Sequence, residues 1–293
     1  MQAILILAHK NVNQVLRLAK VLNRRFEIYI HFDTKCFISD KDKTFMDDNG
    51  IRYISEVDVN WGSWSIGEAA YRLMKIALNN PDISYVHVIS GQDWPVRNVD
   101  ELYEMFENND KIYMRYIKAE DRVKSHERLI WWQKFYFNYD TVKRRTFFGK
   151  FYHRFLIFVQ LLLRVNKFRK LGIKLDIYTG ANWMDLPRDA VKYCVDYMES
   201  HPEFVKMLQT GCFSDEFWVQ TILCNNSEFL KRCTNENHRY IKWVEQYRSN
   251  PAVLDAGEFE KITEGDFIFA RKFDPKYSGE LMDKLDEFYG NKI

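Results

Sequence analysis

Short apolar runs alternate with stretches of helical spacing through the first third of the chain, and this rhythm narrows the fold more than any other feature. AILILA at 3–8 is apolar at every position, as suits a strand buried on both faces. The residues at 11–25 then place Val12, Val15, Leu16, Leu18, Ala19 and Leu22 on one helical face. FEIYIHFD at 26–33, IRYIS at 51–55 and SYVHVIS at 84–90 read as further strands. GEAAYRLMKIALNN at 67–80, which stops at Pro81, and VDELYEMFEN at 99–108 read as helices. Strands alternating with helices predict an α/β fold with a Rossmann-like, mostly parallel central sheet flanked by helices.

In such sheets ligands bind beyond the carboxyl ends of the strands. Three polar clusters fall at those ends: His9-Lys10-Asn11, Asp33-Thr34-Lys35 and Ser90-Gly91-Gln92-Asp93. Their matching positions predict a ligand crevice, and Asp93 is a candidate for a role in it, or for capping the turn that follows.

The 293 residues are read as one domain in three stretches, a first half at 1–115, a basic and aromatic insertion at 116–175 and a second half at 176–293. A net charge of +2 offers no global attraction for nucleic acid. Five cysteines without a CxxC pair argue against a disulfide scaffold and a zinc site, and fit a reducing cytosol. The apolar run at the start is too short for a signal peptide or a membrane span. Aromatic residues make up 16% of the chain, which suits either an aromatic core or flat-faced ligands such as carbohydrate.

The middle of the chain differs in charge. Residues 141–175 contain ten Lys or Arg and no Asp or Glu, around the apolar run FLIFVQLLL at 155–163. A helix of this kind can lie on an anionic membrane surface, or pack on the domain or a partner subunit with a solvated basic side. The preceding ERLIWWQKFYFNYD could line an acceptor cleft or serve packing.

In TGCFSDEFWVQTILCNNS, at 210–227, two carboxylates, Asp215 and Glu216, stand before an apolar and aromatic segment. One reading is helix capping, with Ser214 as N-cap and acids in the first turn. The other is a catalytic base on a rigid helix start. The P-loop, dinucleotide, HExxH and nucleophile-elbow patterns do not occur. The one D-x-D, Asp40-Lys41-Asp42, lies in the polar run SDKDKT and reads as an exposed loop rather than a metal site. A diphosphate leaving group would then need fixed cations, for which Arg248, Arg271 and Lys272 are candidates.

The runs IYIHFDTK, VNWGSWSIGEAA, YVHVISGQDWPVRNVDEL, YTGANWMDLPRDAVKY, FSDEFWVQTIL and FIFARKFD together resemble the core-2/I-branching β-1,6-N-acetylglucosaminyltransferase family, which also holds the peptide O-xylosyltransferases. They occur in family order and span nearly the whole chain. The resemblance implies a GT-A-like fold and an inverting, metal-independent transfer from a UDP-sugar, with no cofactor. It places the general base at Glu216, with Asp215 as a helix-start residue, and diphosphate contacts at Arg248 and Lys272. It places a uracil contact at Asp33, nucleotide-pocket residues at Trp61, Gly62 and Ser63, and an acceptor-side aromatic at Trp243. UDP-N-acetylglucosamine is the expected donor and UDP-xylose the alternative; a non-catalytic glycan-binding protein is the rival of another class. The chain starts at its first strand without a secretory signal, from which a bacterial-type cytoplasmic enzyme is expected. Its expected acceptor is a glycan or lipid-linked glycan of surface polysaccharide or glycoconjugate synthesis, and peripheral contact with the inner face of the membrane through 143–174 is expected.

Overall fold

A computed structural model of the chain describes residues 1–124 and 126–292. The chain forms two compact units, each drawn from separated segments. The first takes Met1–Glu56, Asn80–Asp110 and Glu236–Ile293; the second takes Val57–Asn79 and Lys111–Asn235.

The first unit is built on four parallel strands, β1 (Gln2–Ala8), β2 (Glu27–Phe32), β3 (Arg52–Ile54) and β4 (Tyr85–Ser90), in the order β3-β2-β1-β4. Leu5 lies opposite Tyr29 on one side and Val88 on the other. Ala3 to Ile6 are fully buried, which is why the strand is apolar at every position from Ala3 to Ala8 rather than at alternate ones. Each of Ile4, Leu5 and Ile6 contributes roughly 1.5–3 kcal/mol when fully buried.

Helix α1 (Val12–Leu22) makes the crossover from β1 to β2 and buries Val15, Leu16, Leu18, Ala19, Val21 and Leu22. Asn11 turns the chain into it at φ 54, a left-handed conformation that Asn tolerates better than most residues. The parallel register brings the polar strand ends to one edge. The Asp33 amide donates to Ala8 O at 2.8 Å, and the Gly91 amide to Leu7 O at 3.0 Å. The alternation in the sequence therefore does produce the predicted α/β class, with a mostly parallel sheet.

Helix α2 (Asp40–Asp48) corrects one expectation. The D-x-D is a helix start, not a loop. Ser39 and Asp42 form a reciprocal capping box, and Asp40 pairs with Lys43 at 2.9 Å. A small second sheet in this unit has Phe269–Arg271 at its centre, parallel to Arg239–Ile241 and antiparallel to Asp93–Pro95. Its register sets Arg271 opposite Asp93.

The second unit pairs the strand Tyr178–Pro187 antiparallel with Tyr113–Lys118. Gly180 permits a close approach there: an added Cβ would meet Arg115 O at 1.7 Å. The helix Trp218–Cys224 is buried along its whole length. Thr221 Oγ1 accepts from the Tyr178 amide at 3.1 Å and donates to Tyr178 O at 3.1 Å, while Gln220 Nε2 donates to Ala181 O at 2.8 Å. All-round burial explains why the second half of the TGCFSDEFWVQTILCNNS stretch is apolar without a clear period. Among the described residues, no helix is long and apolar enough to cross a membrane.

Candidate active site

The carboxylates Asp215 and Glu216 belong to a 3₁₀ turn, Ser214–Glu216, that ends before the helix Trp218–Cys224 begins. Ser214 does not cap that helix, as one of the two readings had it. Its hydroxyl donates to Leu208 O at 2.7 Å and accepts from Gln133 Nε2 at 3.1 Å, so it fixes the turn from behind. With Phe217 between the turn and the helix, the carboxylates are aimed by the turn rather than by a long helix.

Phe213 opens this turn at φ 52, a left-handed conformation that is an outlier for a bulky residue. It is held there from several sides. Its amide donates to Gly62 O at 2.8 Å, and its ring meets Trp61 edge-on at 4.8 Å and Trp132 at 4.7 Å. Gly62 itself sits at φ 91. The structure thus joins the predicted Trp61-Gly62-Ser63 turn to the carboxylate turn. Trp61 is 45% exposed, with the Arg145 guanidinium 4.2 Å from its ring centre. Ser63 Oγ is engaged within its own turn, donating to Asn60 O at 3.0 Å and lying 2.6 Å from Ser65 Oγ.

The two carboxyl groups differ in state. Burial, with Glu216 alongside, holds Asp215 well above the usual carboxylate range. Burial raises Glu216 too, but the nearby Lys124 and Arg122 pull it back. Burial thus disfavours the ionised form of both, and the neighbouring cations relieve this at Glu216 and not at Asp215. Glu216 is also the more accessible of the two.

Polar atoms without partners gather on the same elements. Asn182 Nδ2 and Oδ1, Gln220 Oε1, Asp215 Oδ1 and Trp218 Nε1 are buried and unpaired among the described residues. Leaving a buried donor or acceptor unpaired costs roughly 1–3 kcal/mol each. Such a set is suited to a polar ligand rich in hydroxyl groups. Asn182 and Gln220 escaped the sequence reading, because Asn in YTGANW and Gln in FWVQTI carry no spacing signal of their own.

The first unit carries the predicted diphosphate contacts, Arg248 and Lys272. An open cleft of about 590 Å³ at the strand ends is lined by His9, Lys10, Asn11, Lys35, Cys36 and Asp42 among others. Asp33 is buried at the end of β2; its Oδ1 accepts from the Lys35 amide at 3.0 Å and lies 3.3 Å from Lys35 Nζ. His9 is held below its ordinary value, first by loss of surrounding water and then by Lys10, with Arg271 and Lys272 acting in the same direction and Asp33 opposing. A neutral His9 beside these cations leaves the positive charge to them.

Asp93 is a brace. It accepts from the Ser90 amide at 2.7 Å and from Ser90 Oγ at 3.1 Å, and lies 3.5 Å from Arg271 Nε. It therefore fixes the residue before Lys272.

Lys272 Nζ donates to Ser249 Oγ at 3.4 Å, which brings together the two segments predicted to hold diphosphate. Gln246 and Ser249 exchange backbone hydrogen bonds of 3.0 Å each, with Tyr247 and Arg248 between them at φ 53 and 58. Left-handed φ at both central positions is the requirement of a type I′ turn, normally met by Asn or Gly. Here the turn is braced instead. Gln246 Nε2 donates to Asp255 Oδ2 at 2.7 Å, the Tyr247 hydroxyl donates to the same atom at 2.6 Å, and the Tyr247 ring stacks on Tyr277 at 4.1 Å. The exposed Arg248 is projected from its tip. Trp243 lies on the same connection, 69% exposed.

Known proteins are similar to parts of this chain. Beta-glucuronosyltransferase GlcAT14A of Arabidopsis thaliana is 29% identical over 124 residues, 42% of this chain and 27% of its own length. GlcAT14B of the same plant is 28% identical over 123 residues, 42% of this chain and 28% of its own. The matched stretch is thus little more than a quarter of these curated relatives. The solved galactosyltransferase LgtC, in complex with donor and acceptor sugar analogs, aligns over 99% of this chain and 100% of its own at 12% identity and a TM-score of 0.43. The family profile described as Core-2/I-Branching enzyme matches residues 3–267, and the chain belongs to that family.

Proposed function

We propose that the chain is a glycosyltransferase that moves a sugar from a UDP-sugar to a hydroxyl of a glycan acceptor, by one inverting displacement that needs no metal. The observation that carries this reading is the unequal carboxyl pair. Both sit in one braced turn, Asp215 buried and raised well above the usual carboxylate range, and Glu216 more accessible with Lys124 and Arg122 pulling it back, which supports Glu216 as the base.

Glu216 takes the proton from the acceptor hydroxyl as that oxygen bonds to the anomeric carbon. The bond from that carbon to the UDP oxygen breaks, and the electron pair leaves with the β-phosphate. Arg248 and Lys272 neutralise the charge that gathers there. Asp93 acts through Arg271 as a positioning residue. Asp33 is assigned to the uracil, Trp61 and Gly62 to the nucleotide side, and Trp243 to the acceptor side. Asn182 and Gln220 are assigned to sugar hydroxyls, which would pair the atoms left unpaired without ligand. The carboxylates of Asp40 and Asp42 are already occupied by Lys43 and Ser39, which supports leaving the D-x-D out of the mechanism.

The donor sugar is assigned as N-acetylglucosamine from the family resemblance, with xylose as the alternative. The plant relatives named as glucuronosyltransferases add glucuronic acid to the donors that must be offered. The acceptor is placed among glycans or lipid-linked glycans of surface polysaccharide or glycoconjugate synthesis.

The test is slow donor hydrolysis by the purified protein, with a panel of UDP-sugars and detection of released UDP, with and without EDTA. One donor hydrolysed equally well in both conditions is expected. Loss of UDP release in EDTA would overturn the metal-free account. Failure to bind any UDP-sugar in a titration would overturn the glycosyltransferase reading.

A further inference from the structure

The helix Phe147–Leu162 is built with its polar side inward. Its buried residues are Gly149, His153, Ile157 and Gln160. His153 Nε2 meets Glu127 Oε2 at 2.8 Å, and its Nδ1 bonds to the Tyr139 hydroxyl. Gln160 accepts from the Tyr136 amide at 2.7 Å and donates to Tyr136 O at 2.9 Å. Gly149 lets the helix close on the preceding loop, since an added Cβ would meet Lys143 O at 2.1 Å. These contacts fix which face of the helix points out.

The outward face is apolar. Phe147, Phe151, Phe155, Phe158 and Leu162 follow one another at helical spacing and are 91, 62, 53, 64 and 72% exposed. Phe148 and Leu163 extend the patch. A helix facing water has the opposite arrangement. A phenylalanine carries roughly 150–250 Å² of surface, so these rings alone expose on the order of 600 Å². That is at the top of the range for the largest apolar patch of a soluble monomer, and such patches mark interaction sites.

The surrounding charge identifies what covers it. Lys143, Arg145, Lys150, Arg154, Arg164, Arg169, Lys170 and Lys174 are all exposed, and 141–175 contains no acid. Among the described residues none of these eight cations is paired with a carboxylate. A protein partner would need matching acids spread around an aromatic centre. An anionic bilayer supplies both parts at once, acyl chains for the rings and phosphate headgroups for the cations. Sixteen helical residues span about 24 Å, short of the roughly 30 Å hydrocarbon core, so the helix fits the plane of the surface rather than its normal.

We propose that the helix Phe147–Leu162 docks the chain on an anionic lipid surface, with its phenylalanine face buried at the headgroup boundary and the flanking cations on the lipid phosphates. The docking is independent of the sugar-transfer reading, because none of these residues is assigned to donor or acceptor.

The test is flotation of the full chain with vesicles of phosphatidylglycerol mixed with phosphatidylcholine, against phosphatidylcholine alone. The chain is expected to float with the anionic vesicles and to be released as salt is raised. Replacing Phe151, Phe155 and Phe158 together by Ser should weaken binding by at least about a hundredfold. Lys150→Gln and Arg154→Gln should each weaken it about fivefold, which keeps the test open should the triple variant not fold. Three results would overturn the proposal. One is wild-type protein that stays unbound to the anionic vesicles. Another is binding indifferent to both sets of substitutions. The third is a wild-type dimer, seen by sedimentation, that the serine substitutions convert to monomers, which would assign the patch to a second copy.

Discussion

Replacing Arg248 by Gly should raise stability and lower turnover at the same time. Arg248 has φ 58 at the tip of a turn whose other central residue, Tyr247, has φ 53. A left-handed conformation costs an L-residue roughly 1–2 kcal/mol. Glycine removes that cost but adds about 0.5–1 kcal/mol of chain entropy to the unfolded state. The net is a gain of about 0.5–1 kcal/mol, or a rise in Tm of about 1–2 °C for a chain of this size. The guanidinium is exposed and makes no ion pair among the described residues, so its loss removes little folding energy. If it neutralises the leaving diphosphate, turnover should fall by roughly 10²–10³-fold. Thermal melting and UDP release, measured on the same preparation, read the two effects separately. Arg248→Asn, which tolerates the left-handed turn, should keep wild-type stability and share the loss of activity. Wild-type turnover in the glycine variant would remove Arg248 from the mechanism. A fall in Tm would refute the strain argument.

Glu216→Gln should lower turnover by roughly 10²–10⁴-fold with UDP affinity kept, as a titration alongside the rate assay would show, and normal rates would sink the base assignment. Because Glu216 is raised above the ordinary carboxylate value, the wild-type rate should fall on the acid side at a higher pH than for an ordinary glutamate, a limb that a pH–rate profile would reveal. Asn182→Ala should leave the melting temperature unchanged or slightly higher, since its amide is unpaired, while KM for the donor or the acceptor rises; unchanged kinetics would make Asn182 a bystander. Lys167 is fully buried, donates to Met207 O at 2.8 Å and is pushed down by burial to about 7 from 10.5. Its folded value lies below its unfolded one, so the unfolded chain binds the extra proton between those limits and this group makes stability rise with pH across them. Lys167→Met should therefore gain most over wild type at or below neutral pH, up to about 5 kcal/mol, and that gain should shrink by roughly 1.4 kcal/mol per pH unit above it. Urea unfolding of both proteins across that range checks this, and a constant difference would contradict it.

Particular residues show where reading along the chain succeeded and where it failed. β1 was recognisable because burial on both faces leaves Ala3 to Ala8 without a polar position to obscure it. Asp33 and the His9 cluster were placed at strand ends because parallel strands in register send their carboxyl ends to one edge. The D-x-D was misjudged because Ser39-Asp40-Lys41-Asp42 is polar throughout, and only a capping box distinguishes a helix start from a loop there. The capping reading of Ser214 fails for the opposite reason: its sequence position suits a cap, but Gln133, far away in the chain, and Leu208 engage its hydroxyl. Asn182 and Gln220 gave no signal at all, since an unpaired buried amide is defined by what surrounds it.

Period and composition, which depend on near neighbours, were enough to establish the α/β class and the basic acid-free stretch, and the resemblance of short runs in order was enough to indicate the family. They were not enough to show that burial raises Asp215 while nearby cations pull Glu216 back, that a braced left-handed turn projects Arg248, or that the apolar face of Phe147–Leu162 points outward. Those three properties depend on dielectric surroundings, on strain held by distant hydrogen bonds, and on which face of a helix finds polar partners. Each is set by residues far apart in the chain, so each exists only after the chain has folded.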